Sequence, residues 1–396
     1  MVSHSNGVIM EIRDPNELLT HKRFDVVIKY LYASNLSSDF YKSMYREHLQ
    51  CWNNFSEKEP PKHGFEEFDR AFHSIIHNNV DEPVPVQEGK HIANGAHRLA
   101  AALYHQRPIN TRPATEEENY PIIADYKVFY KKDLPKHMMG RTAIEYAKLK
   151  PNTHVICLFP IAHTRIWEVK EIINQYVNVF YEDFAELNAV GQLGLMKEIY
   201  FVEGWANEAG IKRKGDQCFM GRPEVTFMLV DAENLETVKE MKAKIRALFN
   251  VGNHSVHISD FHEDAIRIAK TVFTENSIDF LNRRKNVSFP NYTKLMAELK
   301  PNDNEVITGS SVLSLYGLRD CKDIDKIYYN DPPADSHNLY LKKLYKLTVD
   351  DIVNDPTYHF YYQGFKYASL DVVKNMKAIR DESKDARDLK LIREIE

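Results

Sequence analysis

No stretch of this chain approaches the ~18–20 consecutive apolar residues that a membrane-spanning helix requires. The opening MVSHSNGVIMEIRDP has neither the charged nor the apolar region of a secretory signal. A cytoplasmic protein with no membrane span is therefore expected. Cysteine is scarce: Cys51, Cys157, Cys218 and Cys321 lie far apart and form no CxxC pair, which argues against a disulfide framework or a cysteine zinc site. An excess of positive charge is missing too. With 52 Lys and Arg against 57 Asp and Glu, the net charge is −5, whereas sequence-independent nucleic-acid affinity rests on clustered cations neutralising phosphates. A dedicated nucleic-acid binder is not expected, and low-complexity segments and clear internal repeats are absent.

What is present is an ordinary globular composition over 396 residues, enough for two or three domains at ~100–200 residues each. The first third reads as a strand at 8–12, helical segments at 24–33, 39–52 and 65–76, then EPVPVQEGKHIANGAHRLAAALYHQRPI as strand, turn, strand, glycine turn and helix. A polar loop is expected at 110–119, overlapping the strand-like PINTRP (Pro108–Pro113), and leads to an expected strand, PIIADYKVFY. A boundary is expected near Lys150. The middle third alternates: strand 155–159, helix 167–176, helix 182–193, strand 198–202, strand 225–230, helix 235–249 and helix 262–273. The expected fold is α/β (α+β) in three units, 1–150, 151–287 and 288–396.

The densest chemical signal is ITGSSVLSLYGLRDCKDIDKIY, Ile307–Tyr328. Gly309 and Ser310 end a short apolar strand, where a small turn before a helix can present backbone N–H groups to a triphosphate. Asp323 and Asp325 are two residues apart, so on an extended strand both point to one side and can share Mg²⁺. The order Gly-Ser…Asp-x-Asp resembles the core of the polymerase-β-like nucleotidyltransferases, especially the minimal ones. Lys377, Arg380, Lys384, Asp385 and Asp388 look like the Met-Lys…Arg…Lys-Asp…Asp tail of those enzymes. The resemblance implies a nucleotidyltransferase-like fold for the last domain, Mg²⁺ on Asp323 and Asp325, and nucleotide phosphates near Gly309, Ser310, Lys377 and Lys384. Active members of that family carry a third carboxylate on the strand before the closing helix. The corresponding YHFYYQGFKYA, Tyr358–Ala368, has none.

HIANGAHRLAAALYHQRPI is the second specific feature. A strand–turn–helix reading puts Gly95 and Ala96 in the turn and His97 and Arg98 on the first helical turn, where amides, helix dipole and guanidinium converge on an anion. It resembles the Asp-Gly-x-His-Arg segment of the ParB/sulfiredoxin-like superfamily, including free-serine kinases. This implies nucleotide phosphates at Asn94, Gly95 and Ala96, with His97 and Arg98 acting in phosphoryl transfer. Asn94 stands where the family has an acid, so Glu11, Asp14, Glu17 or Asp25 would have to replace it. The sulfiredoxin cysteine is absent. Lys29, in RFDVVIKYLYA, is placed to neutralise a phosphate at this turn, although the same pattern reads as a solvated face above Phe24, Val27, Ile28 and Leu31. Lys62 and His63 lie in a loop open to either role.

Two further groups are in the middle third. VHISDFHED holds His257, Asp260, His262 and Glu263, which read either as metal ligands or as a helix start capped by Asp260 with Glu263 three residues on. YFVEGWANEAGIKRKGDQCF holds Glu203, Trp205 and Lys212, Arg213 and Lys214, either a clamp for a phosphorylated or sugar ligand or a solvated loop.

Together the two phosphate motifs imply a phosphotransferase, a kinase or nucleotidyltransferase, using Mg²⁺ and a nucleoside triphosphate such as ATP or CTP. The acceptor expected is a small sugar, polyol or amino acid. Chains pairing these motifs resemble proteins placed with surface-glycan biosynthesis genes. The alternative, favoured by both missing acids, is a non-catalytic nucleotide sensor or ParB-like nucleic-acid-associated protein; a nucleotidyltransferase toxin modifying tRNA or protein is a third reading.

Overall fold

The computed structural model describes residues 3–5, 8–53, 64–78, 82–87, 89–119 and 122–396. The protein is mixed α/β and divides into two compact units, Met1–Lys150 and Pro151–Glu396. No described helix is long and apolar enough to cross a membrane.

The first unit runs β1 (Ser3–Ser5), β2 (Val8–Arg13), α1 (Pro15–Leu18), α2 (Phe24–Ser34), α3 (Asp39–Asn53), α4 (Phe65–Asn78), β3 (Val84–Gln87), β4 (His91–Ile92), α5 (Ala96–Tyr104), β5 (Ile109–Pro113), α6 (Tyr126–Tyr130) and α7 (Lys136–Leu149). Its sheet has the order β1-β2-β5-β3-β4, with β3 and β5 parallel. Helix α2 is wrapped on most sides: Phe24, Val26, Val27, Ile28, Leu31 and Tyr32 are all within 1 % of full burial. Its polar residues are therefore not a solvated face, and Arg23, Asp25 and Lys29 are buried with them.

The second unit opens with β6 (Thr153–Leu158), α8 (Pro160–His163), α9 (Ile166–Tyr176), β7 (Asn178–Glu186), α10 (Ala189–Ile199), α11 (Glu208–Phe219), β8 (Glu224–Asp231), α12 (Leu235–Ala247), β9 (Val256–Ile258), α13 (His262–Val272) and α14 (Glu275–Arg283). The sheet order is β7-β8-β6-β9, every neighbour antiparallel. That is a split βαβ arrangement with α10 and α11 inserted between its second and third strands. One face is covered by α9 and α12, whose Val169, Ile173, Val238, Met241 and Ile245 pack on Ile156, Leu158, Met228 and Val230. Val155, Cys157, Phe227 and Leu229, which alternate with those strand residues, are equally buried. Both faces of β6 and β8 are thus covered, and their sequences are continuous apolar runs.

The remainder of this unit is α15 (Pro290–Ala297), β10 (Glu305–Thr308), α16 (Ser310–Leu315), β11 (Asp325–Tyr328), a 3₁₀ turn at His337–Tyr340 and a π turn at Leu341–Tyr345, α17 (Val349–Asn354), β12 (His359–Tyr362), β13 (Phe365–Ala368), α18 (Leu370–Arg380) and α19 (Ser383–Arg393). A second sheet has the order β11-β10-β13-β12. Residue 287 falls between the two sheets, inside one compact unit.

Several expected elements differ. The segment expected as a strand, PIIADYKVFY, ends in helix α6, whose start is capped by the Asp125 carboxylate accepting from Val128 N–H at 3.1 Å; its first residue, Pro121, lies outside the described residues, as do Lys62 and His63. The expected helix 182–193 is divided: residues 182–186 end β7, which pairs with β8 through a bulge at Val179/Tyr181, and residues 189–193 open α10. Helix α10 begins at Asn188, whose side chain accepts from Val190 and Gly191 N–H. It continues through the expected strand 198–202 as far as Ile199. The basic run 212–214 is on α11 rather than in a loop. Asp260 does not cap α13: the cap position is Phe261 and makes no side-chain cap bond, while Asp260 pairs with Lys242 at 3.3 Å.

The two sheets of the second unit interlock through α10, α13 and α14. Gly191 and Gly194 let α10 approach α14 closely: a Cβ at these positions would stand 2.3 Å from Asn282 Oδ1 and 2.8 Å from Leu281 Cδ2. Farther along α10, Glu198 is wholly buried. One carboxylate oxygen accepts from Arg267 Nη1 at 2.6 Å and the other from the Gln363 backbone N–H at 2.7 Å. Gln363 and Gly364, with φ of 50° and 80°, form the two-residue turn between β12 and β13, both central residues left-handed as a type I′ turn demands. Asn276 reaches the carbonyls of Pro356, Thr357 and His359, and Ser277 accepts from Tyr361 N–H. Burial holds the Glu198 carboxyl above its ordinary range, against the opposing pull of Arg267. Glu198→Ala leaves the turn amide unanswered in the interior and strips Arg267 of its buried carboxylate, with Asp264 as its remaining acidic partner. It is expected to destabilise the second unit by roughly 3–5 kcal/mol, read as a fall in the urea midpoint with the first unit unchanged.

Candidate functional site

The glycine turn of the first unit forms as expected, but most of its polar groups are already engaged. Gly95 has φ of +90°, and a Cβ there would meet Val84 Cγ2 at 2.9 Å, so glycine is required on both counts. The Asn94 side chain accepts from Gly95 N–H at 2.6 Å. Arg98 turns back to the strand entry, donating to Glu82 O at 2.9 Å and pairing with the Glu82 carboxylate at 2.9 Å. His97 Nε2 meets the Tyr45 hydroxyl at 2.7 Å, with its ring 4.8 Å from Phe72 and stacked on Phe68 at 6.1 Å. Ala96 begins the helix.

Beneath His97 lies a buried ion network. Arg23 grips both oxygens of Asp25 at 2.8 Å and donates to Ile92 O. Lys29 donates to Asp25 at 2.9 Å and faces His48 Nε2 at 3.0 Å. Since His48 Nδ1 must donate to the Tyr45 carbonyl, Nε2 is the acceptor and the ring is neutral. Lys29, expected on a phosphate, is therefore committed to Asp25 and His48. Of the acids considered as replacements near the first strand, Asp14 caps α1, Glu17 pairs with Arg13 and Asp25 is consumed by the network. Burial, with Lys29 beside it, lowers His48 to about 3 and holds His97 well below its ordinary value. Burial also raises the Tyr45 hydroxyl, while Asp25 is held far below the usual carboxylate range by Arg23 and Lys29 despite its burial.

The C-terminal motif converges on one place. Gly309, Ser310, Asp323, Asp325, Lys377 and Lys384 line a single cleft of about 620 Å³, with Arg319, Lys322, His337, Arg380, Arg387 and Asp388 around it. Gly309, at φ +67°, packs against Asp325: a Cβ would lie 2.3 Å from Asp325 Oδ2. Asp325 opens β11 and its Oδ1 meets His337 Nε2 at 3.1 Å. His337 Nδ1 meets the Tyr345 hydroxyl at 2.6 Å, which meets Thr308 Oγ1 at 3.1 Å. This chain returns to the strand just before Gly309. Burial raises Asp325, yet His337 and then Arg380 and Lys377 hold it below its ordinary value. Asp323 is exposed at the cleft edge.

Lys377 lines the cleft but is almost wholly buried, with its ammonium 3.4 Å from Asp385 and 2.6 Å from Asp388. Arg380 holds Asp385 through two contacts and Arg319 holds Asp388 likewise. The Lys…Arg…Lys-Asp…Asp tail is thus first an ion cluster that joins α18 to α19 and to the segment before β11. Lys384 pairs with Glu382 at the surface. Sequence spacing did not reveal His337, Arg319, Lys322 or Arg387; His337 and Tyr345 sit in irregular turns, where no periodicity marks a side chain.

Asp325 opens β11 but Asp323 lies in the bend before it, so the two acids do not stand on one strand as expected; both carboxylates line the cleft and are of the donor type that Mg²⁺ takes one or two at a time, with phosphates and water completing its shell. Among the described residues no group of three or more His, Cys, Asp or Glu is placed to hold a metal; β12 and β13 supply no further acid at the cleft. His257, Asp260, His262 and Glu263 do not assemble as a metal group either, and His257 lies beside Lys242 and Arg246, whose charge opposes a cation. Comparison with known proteins finds no matching family model, no matching curated protein and no matching solved structure.

Two outcomes test this geometry. Gly309→Ala forces Asp325 out of place, and is expected to weaken nucleotide binding at least tenfold by calorimetry while leaving the far-ultraviolet dichroism unchanged. In the first unit, His21 and His48 are lowered from 6.5 to about 4 and about 3 by burial, with Lys22 and Lys29 adding to it. The unfolded chain therefore binds protons that the folded one refuses, so stability is full above about 6.5 and falls as pH drops toward 4. The urea midpoint of the first unit should decrease from pH 7.5 to pH 5, and less steeply in His48→Gln.

Proposed function

We propose that the protein is a nucleotide-dependent transferase of phosphorus-containing groups, with its chemistry in the C-terminal cleft. The observation that supports this is the convergence of a glycine-serine turn, two carboxylates and several cations on one cleft. Exposed Lys322, Lys384 and Arg387 attract the phosphates, and Gly309 with Ser310 lets the chain approach them closely. Mg²⁺, held by Asp323 and Asp325 when bound, supplies neutralisation of phosphate charge. His337 fixes one oxygen of Asp325 and so aims the other, while Asp385 and Asp388 clamp the helices that carry the basic wall. The nucleotide is a triphosphate such as ATP or CTP, and the acceptor a small hydroxyl-bearing sugar, polyol or amino acid of the kind used in surface glycans. The glycine turn at 94–98 takes no part in the chemistry in this reading, since Arg98 and His97 are paired within their own unit.

A second reading, a nucleotide-binding sensor without turnover, is favoured by one observation: the segment Tyr358–Ala368 carries no carboxylate, where active members of the resembled family have their third. Phosphorus NMR separates the two. The protein is incubated with each of ATP, CTP, GTP and UTP, Mg²⁺ and a pool of sugars, polyols and amino acids. Pyrophosphate with a new phosphodiester, reduced about 100-fold or more in Asp323→Asn, is the expected result, a loss comparable to removing a principal electrostatic contact of a transition state. Formation of nucleoside diphosphate and a phosphomonoester would identify a kinase. Binding with unchanged triphosphates would establish the sensor.

A further inference from the structure

A separate cleft of about 360 Å³ lies in the split βαβ part of the second unit, remote in sequence from Asp323 and Asp325. Its basic wall comes from two helices. Arg213 and Lys214 of α11, and Lys242 and Arg246, one turn apart on α12, all line the cleft, and His257 of β9 and Trp205, 43 % exposed, complete the lining.

Three observations give this cleft a ligand of defined charge. First, the cations outnumber the acids. Glu203 and Asp260 are the carboxylates lining it, and Asp260 is already taken by Lys242 at 3.3 Å. Lys214 has only neutral partners, donating to Asn253 O at 2.7 Å and meeting His254 Nδ1 at 3.1 Å. Second, two buried nitrogens on the lining have no hydrogen-bond partner, Arg246 Nε and His257 Nε2. Leaving such a group unanswered costs ~1–3 kcal/mol; an anion with several acceptor oxygens answers both. Third, burial lowers Lys214, Lys242 and Arg246 from their ordinary values, and Arg246 lowers both lysines further. An anion relieves that repulsion. His257, brought to about 3 by burial and the neighbouring Lys242 and Arg246, is a neutral ring and can donate from Nε2 without adding charge.

The lining also carries an aromatic cluster: Tyr200 lies against Trp205 at 4.8 Å and against His257 at 4.9 Å. We propose that this cleft binds a small phosphate monoester, with the phosphate between Arg246, Lys214 and His257 and the organic part against Trp205. Nothing in the assignment depends on the chemistry at Asp323 and Asp325. It gives the middle of the chain a ligand of its own, either a phosphorylated acceptor or a regulator.

Trp205 reports on the site directly. The full chain carrying Trp52→Phe and Trp167→Phe retains it as the one tryptophan of three. Its emission is titrated with ribose 5-phosphate, ribose and inorganic phosphate. A saturable change with ribose 5-phosphate at millimolar concentrations or below, none with ribose and a weaker one with inorganic phosphate is expected. Arg246→Gln and Lys214→Gln, on different helices, should each raise the Kd at least tenfold without altering nucleotide binding at the C-terminal cleft. Absence of a saturable change, or an unchanged Kd in both variants, would overturn the site. Equal affinity for inorganic phosphate would overturn the ester assignment. Because Asp323→Asn should leave this titration unchanged, failure here and failure of transferase activity are separately visible.

Discussion

A carboxylate can be taken out of water only if something in the interior replaces the water, and the second unit is built around one such replacement. Glu198 is fully buried at the end of α10, and its two oxygens divide between Arg267 on α13 and the turn amide between β12 and β13. A side chain from helix α10 thereby completes the hydrogen bonding of a turn in the second sheet of this unit. The close approach of α10 to α14, permitted by Gly191 and Gly194, brings this carboxylate to the turn. The strands behind the C-terminal cleft inherit their position from that contact.

The same solution recurs wherever the chain buries charge. Asp25 is held by Arg23 and Lys29, and Asp385 and Asp388 share Lys377 while each takes an arginine of its own. Desolvation makes such clusters poor contributors to net stability but costly to disrupt by halves. They are consequently well suited to fixing geometry: one orders the helices beneath the glycine turn of the first unit, another holds α18 and α19 against the cleft. In both places the residues that resemble ligand-binding motifs are, first of all, parts of the internal scaffold.

This explains how much could be read from the sequence. The apolar strands, the two glycine turns and the gathering of Gly309, Ser310, Asp323 and Asp325 were legible because each depends on local spacing. Lys377 was not legible in its actual state, since nothing in the linear pattern says that Asp385 and Asp388 will close over its ammonium. Lys29 posed the same difficulty, with the further complication that helix α2 is covered where its polar residues suggested solvent. His337 was missed because its position follows from a hydrogen-bond chain through Tyr345 to Thr308, a relation between an irregular turn and a strand that carries no period.

Sequestering Lys377 also changes how the C-terminal cleft would attract the nucleotide proposed for it. That internal cation is neutralised, so the free positive charge stands at the rim on Lys322 and Arg387, with Lys384 paired to Glu382, in contact with solvent and screened over a Debye length of about 8 Å at physiological ionic strength. Capture is thereby separated from orientation. The rim sets how quickly a polyanion arrives and makes that step sensitive to salt, while the inflexible floor of Gly309, Asp325 and His337 sets the pose once it is there, largely indifferent to the ionic medium.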